Sequence, residues 1–167
     1  MTSALEYLII HGVQSDICPL ACKELWANNT ISGIWKRYHS PNDMTDYYLG
    51  CSISSVDNIV YIFCGSDISY GDLPTNSVIS FNVFHAKWQM LSPHIDDYDE
   101  NKSPRLAESC MFYLDRLLYI LRALLDDYYI DSIYKLSLNS STWSFVNQNG
   151  QGHLLDYRIF GSVFKNQ

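Results

Sequence analysis

The sequence predicts an all-β fold, a partial β-propeller built from four-stranded antiparallel blades. Three tryptophans, Trp35, Trp88 and Trp143, recur 53 and 55 residues apart, and each ends a similar run of alternating residues. The composition agrees with strands, because 14% of the residues are aromatic and 13 of the 167 are tyrosine. A self-similar period near fifty residues is typical of propeller blades.

Each repeat contains up to four candidate strands. A short apolar segment precedes each tryptophan run, as EYLIIHG, NIVYIFCG and RLLYILRA, and the second and third of these follow YYLGCSISSV and RLAESCMFYL. The turns Val56-Asp57-Asn58 and Leu114-Asp115-Arg116 join the paired segments, because Asp and Asn tolerate left-handed backbone. We therefore predict one partial propeller over residues 1–167: the last three strands of a blade at 5–38, whole blades at 47–91 and 107–146, and the first strand of another at 158–164.

One segment supports a competing interpretation. DRLLYILRALLDD is amphipathic, and its intrinsic propensity favours a helix. The period favours a strand, because LLYILRA occupies the place of VYIFCG in the preceding repeat. We predict a strand here, with a helical turn over Ala123–Asp127 as the alternative at its end.

Composition argues against several classes of function. The formal net charge of −7 disfavours nucleic acid as a partner, since phosphate binding needs a basic surface. The start of the chain resembles neither a signal peptide nor a membrane span, so no membrane partner is expected. Five cysteines without framework spacing favour a reducing setting, the cytoplasm or the nucleus. Cys18 and Cys22 have no second pair to complete a zinc site, so neither metal nor other cofactor is expected.

The runs KELWANNTISGIW, NSVISFNVFHAKW and DSIYKLSLNSSTW, with the loop SDISYGD, resemble kelch repeats of the family that supplies substrate receptors to cullin-2 ubiquitin ligases. The resemblance covers about residues 8–162. It implies a propeller that binds the C-terminal degron of a target protein. It also implies a separate helical box that docks elongin and cullin-2, and this docking is expected only of a longer form that carries the box. The alternatives are a kelch scaffold in stress-kinase, phosphatase or cytoskeletal signalling, or a non-functional fragment.

The sequence departs from the kelch pattern where a double glycine usually closes the second strand. His11-Gly12, Cys64-Gly65 and Arg122-Ala123 stand there instead. Gly12 and Gly65 are predicted structural positions with positive φ, and the three tryptophans are predicted to pack between sheets rather than to contact a ligand. Kelch-like propellers can also host copper oxidases, but the five histidines are scattered one per segment, so we predict no enzyme activity.

Strand alternation predicts which loops lie together. The loops at about 66–76, 92–105, 124–131 and 147–158 share one end of the propeller, where long loops usually bind partners. An arginine can hold a terminal carboxylate bidentately, and tyrosine adds flat contact area. The alternative is that the arginines brace neighbouring blades and the tyrosines belong to the core. The candidate peptide-binding residues are Arg105, Arg158, Tyr70, Tyr128, Tyr129 and Tyr157.

The same end is acidic. Because these carboxylates repel acidic tails, we expect a protein or peptide ligand that is neutral or basic away from its terminus. The acidic residues are Asp67, Asp72, Asp96, Asp97, Asp99, Glu100, Asp126, Asp127 and Asp131.

Overall fold

The computed structural model describes residues 1–12, 24–41, 50–63, 75–95, 97, 99, 102–106, 108–125 and 128–149, and over 122–131 it describes the backbone alone. Every regular element in these ranges is a β-strand. The first sheet holds β1 (Thr2–Ala4), β2 (Tyr7–His11), β3 (Glu24–Asn29) and β4 (Trp35–His39). The second holds β5 (Ser52–Val56), β6 (Ile59–Phe63), β7 (Val78–Asn82) and β8 (Lys87–Ser92). The third holds β9 (Cys110–Leu114), β10 (Leu117–Leu125), β11 (Tyr128–Ser137) and β12 (Thr142–Val146).

Each sheet is an antiparallel meander in which every strand pairs with its neighbour in the chain. The three sheets share one register pattern. The tryptophan of the fourth strand stands opposite Asn28, Phe81 and Leu136 in the first, second and third sheets. The predicted fold class, all-β with four-stranded antiparallel units, is confirmed. Across the described ranges, no helix has the length and hydropathy that a membrane span requires.

The first sheet has one strand more than the three we predicted from residue 5 onward. Thr2–Ala4 pairs antiparallel with β2, with Thr2 opposite Ile9 and Ala4 opposite Tyr7. This strand is only three residues long and carries no apolar alternation, so periodicity could not reveal it. The strand predicted at 158–164 lies outside the described residues.

The hairpin of the third sheet corrects two further predictions. β10 runs to Leu125 and β11 begins at Tyr128, and these two residues face each other in the register. The helical turn is therefore wrong over Ala123–Leu125, and a loop at 124–131 is wrong wherever the structure describes it. The physical reason is that strand pairing satisfies the backbone groups of this segment, whose YYIDSIY sequence has high β propensity. A bulge between Leu121 and Ala123 absorbs one extra residue.

Two apolar cores hold the three sheets together. One lies between the first and second sheets and includes Ile9, Leu25 and Phe81, while the other lies between the second and third. The first strands of successive sheets contact each other, β1 with β5 and β5 with β9. A hydroxyl contact of 2.8 Å accompanies each of these strand contacts, between Thr2 and Ser55 in the first case and between Ser52 and Ser109 in the second. This arrangement is that of blades placed side by side around an axis, with the first strand of each blade innermost.

Candidate functional site

The long connections of the second sheet leave from one end. β6 ends at Phe63 and β8 ends at Ser92, and both residues face Val78, the first residue of β7. We call this end the long-loop end, and its described residues are Thr75–Asn76, Ser92–Ile95 and Lys102–Leu106. The opposite end carries short turns, including Val83–Ala86 between β7 and β8.

Asn76 braces the long-loop end from within. Its side chain is 4% exposed, and its amide nitrogen donates to the carbonyl of Ser103 at 3.0 Å. Its Oδ1 accepts from the backbone N–H of Ile95 at 3.0 Å and lies 2.8 Å from Nδ1 of His94. One buried amide thereby connects three chain segments, which fixes the loops relative to the sheet. Sequence reasoning missed Asn76, because a polar residue before a strand resembles an ordinary loop residue.

Ser92 connects the same end to the core between the second and third sheets. Its hydroxyl oxygen accepts from Nζ of Lys102 at 3.0 Å and from the indole N–H of Trp143 at 3.1 Å. Ser92 is 2% exposed, so the hydroxyl oxygen that accepts both hydrogen bonds is shielded from solvent. A lysine of the loop and a tryptophan of the next sheet therefore meet on one hydroxyl.

Arg105 lies in the segment that these contacts hold. The backbone N–H of Leu106 donates to the carbonyl of Thr75 at 3.4 Å, and the Leu106 side chain is fully buried. Arg105 itself is half-buried at the long-loop end. Its backbone is anchored on both sides, by Ser103 and Leu106, so the start of its side chain has a fixed position.

The structure places only part of the predicted peptide site at this end. Tyr128 and Tyr129 are strand residues of β11, paired with Leu125 and Leu124, and not residues of a loop. Tyr70, Tyr157 and Arg158 lie outside the described residues. Of the predicted acidic cluster, Asp97 and Asp99 are described and exposed, and Asp131 belongs to β11. The remainder lies outside the described residues: Asp67, Asp72, Asp96, Glu100, Asp126 and Asp127.

The three tryptophans differ in environment. Trp143 is 5% exposed and packs on Phe63 of the second sheet, with ring centroids 5.8 Å apart. Trp88 is half-buried, and its ring centroid lies 6.5 Å from that of His11 in the first sheet. The prediction that Trp35 packs between sheets is wrong for the described chain, because its side chain is 47% exposed and lies between no two of the described sheets. Trp143 and Trp88 each pack on the sheet that precedes their own. Trp35 belongs to the first sheet, so the described chain has no preceding sheet on which it could pack.

The predicted structural glycines are described in part. Gly12 follows β2 with φ of +71°, a left-handed conformation that favours glycine. Gly65 lies outside the described residues. At the equivalent place in the third sheet the strand continues through Ala123, which pairs with Ile130, so no turn is required there.

Burial sets the protonation of the titratable groups in the core. It lowers the pKa of His11 to about 4, with a smaller effect from the amino-terminal charge, and both ring nitrogens are shielded from solvent. Burial also raises the pKa values of the Cys51 and Cys110 thiols, so both are protonated and poorly nucleophilic. Among the described residues, no group of three or more His, Cys, Asp or Glu side chains could hold a metal ion.

Comparison with known proteins points to one group of relatives. No family model matches the chain. The chain is 24% identical over 127 residues to kelch domain-containing protein 10 of Homo sapiens and of Bos taurus, which covers 76% of this chain and 28% of each relative. The protein of the same name from Rattus norvegicus is 25% identical over 128 residues, 76% of this chain and 30% of the relative. The chain therefore spans under a third of the length of the curated relatives it matches. The three four-stranded antiparallel sheets are consistent with part of a kelch β-propeller, and the chain is similar in sequence to kelch domain-containing protein 10.

Proposed function

We propose that the chain is a non-catalytic recognition module whose long-loop end binds the C-terminal tail of another protein. The role corresponds to that of the substrate receptor in a cullin-2 RING ubiquitin ligase, acting in the cytoplasm or nucleus. The observation that carries the proposal is the braced segment Lys102–Leu106, which holds Arg105 at the long-loop end. The similarity to kelch domain-containing protein 10 supports a protein ligand rather than a small substrate.

The chemistry of Arg105 suits a carboxylate. A guanidinium presents parallel N–H donors that match the two oxygens of a chain terminus. Because Asn76 holds both Ile95 and Ser103, the backbone on either side of the site loses little freedom when a ligand binds. Preorganisation of this kind raises affinity by lowering the entropic cost of association.

A display library of peptides with free C-termini tests the proposal on the purified chain. We expect selected peptides to lose affinity when their terminus is amidated, because amidation removes the negative charge. Arg105→Ala should weaken the same peptides by about ten-fold or more, since a hydrogen bond to a charged group contributes about 1.5–3 kcal/mol. Fluorescence anisotropy of labelled peptides measures both effects.

Lys87→Ala is the matched control. Lys87 is an exposed cation at the short-turn end, so its loss changes the net charge equally without touching the long-loop end. Its peptide affinity should stay at the level of the unmodified chain. Equal affinity for free and amidated peptides would refute terminal-carboxylate recognition and leave a kelch scaffold that binds internal segments.

The ligase role has a separate test. A longer form that carries a helical box should co-purify with elongin and cullin-2, and deletion of the box should abolish this without affecting peptide binding. If the longer form binds peptides but neither ligase subunit, the recognition module serves a scaffold in signalling.

A further inference from the structure

One face of the third sheet points away from the second sheet and is apolar. We call it the trailing face, and it contains a cavity of about 200 Å³. The cavity residues alternate along the strands with the residues that pack against the second sheet, so they belong to the opposite face. All of them are apolar or aromatic, and they come from all four strands of the sheet: Phe112, Leu114, Tyr119, Leu121, Ile133 and Val146.

The trailing face repeats a face that is covered inside the molecule. Three residues of the cavity, Tyr119, Leu121 and Ile133, occupy the register places of Tyr61, Phe63 and Val78 in the second sheet. Those three residues of the second sheet lie in a buried core to which the third sheet contributes Leu106 and Met111. Leu106 is fully buried and Met111 is 4% exposed. The segment that enters the third sheet therefore helps to cover this face of the second.

A backbone hydrogen bond fixes the entry segment beside the preceding sheet. The N–H of Glu108 donates to the carbonyl of Gly50 at 3.1 Å. Both residues stand two positions before the innermost strand of their sheet, and both are left-handed, with φ of +51° and +70°. Successive sheets are thus joined between equivalent residues, at the start of the strands nearest the axis.

The sequence repeats this entry segment once more. Residues 158–164, RIFGSVF, follow the pattern of residues 105–111, RLAESCM, and lie outside the described residues. Both segments begin with arginine and have serine at the fifth position. Gly161 takes the place of Glu108, and glycine adopts a positive φ at no steric cost. The apolar places of Leu106 and Met111 are taken by Ile159 and Phe164.

The connection to the repeated segment has nearly the same length as its counterpart. Leu106 follows the end of β8 at Ser92 by 14 residues, and Ile159 follows the end of β12 at Val146 by 13. These two strand ends occupy equivalent places, because each faces the residue that stands opposite the last register partner of the second strand. The repeated segment can therefore reach the trailing face as residues 105–111 reach the second sheet.

We propose that residues 158–164 of the same chain cover the trailing face, with Ile159 and Phe164 seated in its cavity. The N–H of Gly161 then donates to the carbonyl of Glu108, as the N–H of Glu108 donates to Gly50. A tether of this length gives the segment an effective concentration on the order of mM at the cavity. A separate polypeptide would have to offset the loss of its translational and rotational freedom as well.

Nuclear magnetic resonance of the full chain tests the contact directly. We expect nuclear Overhauser contacts from the side chains of Ile159 and Phe164 to the methyl groups of Leu121, Ile133 and Val146. An equimolar mixture of isotope-labelled and unlabelled chains distinguishes the source of the segment. Contacts within one chain are lost when only signals between differently labelled chains are selected, so the filtered spectrum should show none.

A charge placed in the cavity should release the segment. Phe164→Asp is expected to speed deuterium exchange of the Gly161 amide by about ten-fold or more, because a carboxylate is disfavoured among apolar side chains. Phe84→Asp is the matched control, since Phe84 is 56% exposed at the turn between β7 and β8, and it should leave this exchange rate unchanged. The amides of β2 in the first sheet should exchange equally in both variants, which separates local release from unfolding of the whole chain.

Three results would overturn the inference. Contacts that appear only between differently labelled chains would assign the cavity to a second copy. A lack of any contact between residues 158–164 and the cavity would leave it to a further blade or another protein. Equal exchange of the Gly161 amide in the unmodified chain and in Phe164→Asp would show that the cavity does not hold the segment.

Discussion

His11 occupies a repeated position in the sheets, the last residue of the second strand, where the second sheet has Phe63. It ends β2 opposite Leu25, as Phe63 ends β6 opposite Val78, and each packs on the tryptophan of the next sheet. Burial lowers the pKa of His11 to about 4, so the imidazole is neutral at pH 7 and serves as an aromatic core residue. A phenylalanine could occupy the same place.

The depressed pKa predicts acid sensitivity. In the unfolded chain a histidine takes up a proton near pH 6.5, whereas folded His11 does so only near pH 4. Its contribution to stability is therefore complete above pH 6.5 and is lost as the pH falls from 6.5 to 4, by up to about 3 kcal/mol. His11→Phe should flatten the fall in unfolding free energy over this window, as measured by urea denaturation at several pH values.

His85→Phe controls for the loss of one imidazole, because His85 is exposed at the turn between β7 and β8. It should keep the acid sensitivity of the unmodified chain. An equally steep fall in the His11→Phe variant would show that other groups govern acid stability.

At the residue scale, the sequence identified repeated positions better than individual environments. The spacing located Trp35, Trp88 and Trp143 in equivalent strands, because a repeat fixes phase along the chain. It could not distinguish their burial, which depends on whether another sheet lies in front. Asn76 gave no signal, since its role comes from loops 18 and 27 residues further along the chain.

The hairpin between β9 and β10 closes through a two-residue turn in left-handed conformation. Its two central residues, Asp115 and Arg116, have φ of +49° and +64°, the left-handed pair of a type I′ turn. Aspartate tolerates this conformation, but arginine has a β-carbon and no short polar group to compensate. The twist of this turn matches the twist of the flanking strands, so the pairing of β9 with β10 offsets the backbone strain at Arg116.

Arg116→Gly should stabilise the chain by about 0.5–1 kcal/mol. Relief of left-handed strain, about 1–2 kcal/mol, exceeds the extra entropy that glycine gains in the unfolded state. The backbone carbonyl of residue 116 still accepts from the N–H of Leu138 at 3.0 Å, so the turn keeps its neighbour. The denaturation midpoint measures the change.

Ser144→Gly provides the contrast, because Ser144 is an exposed strand residue in β12 paired with Lys135. Glycine there should destabilise by about 0.5–1 kcal/mol. Destabilisation by both variants would mean that Arg116 contributes through its side-chain contact with Asn139, a 3.4 Å hydrogen bond.

Element prediction succeeded where local signals were strong and failed where pairing decided the outcome. The turn residues at Asp57 and Asp115 located two hairpins, because their left-handed tolerance is a local property. Thr2–Ala4 was missed, since a three-residue strand exists only through its partner β2. Strand alternation predicts a loop at 124–131, whereas the pairing of Ala123 with Ile130 and of Leu125 with Tyr128 extends the hairpin into this segment.

The whole molecule combines a repeated scaffold with a strong negative charge. The period predicts strand-rich units at a nearly constant spacing because each blade is one packing unit of nearly constant length. The formal charge of −7 does not influence the fold but determines the field that a ligand meets. Asp97 and Asp99 are exposed near the braced segment, so part of this charge lies at the long-loop end.

This field predicts a salt-dependent preference between peptides that share one terminal sequence. A selected peptide with internal lysines should associate faster than its glutamate counterpart at low ionic strength, because long-range attraction accelerates encounter. Raising the salt from about 25 mM to about 150 mM shortens the screening length to about 8 Å, so the lysine peptide should slow and the glutamate peptide should accelerate. Stopped-flow fluorescence measures both association rates.

The double variant Asp97→Asn with Asp99→Asn should reduce the difference between the association rates of the two peptides while leaving the dissociation rates nearly unchanged, because rim charges act mainly on encounter. Equal rates for the two peptides at low salt would contradict electrostatic selection and leave discrimination to the terminal carboxylate and its arginine.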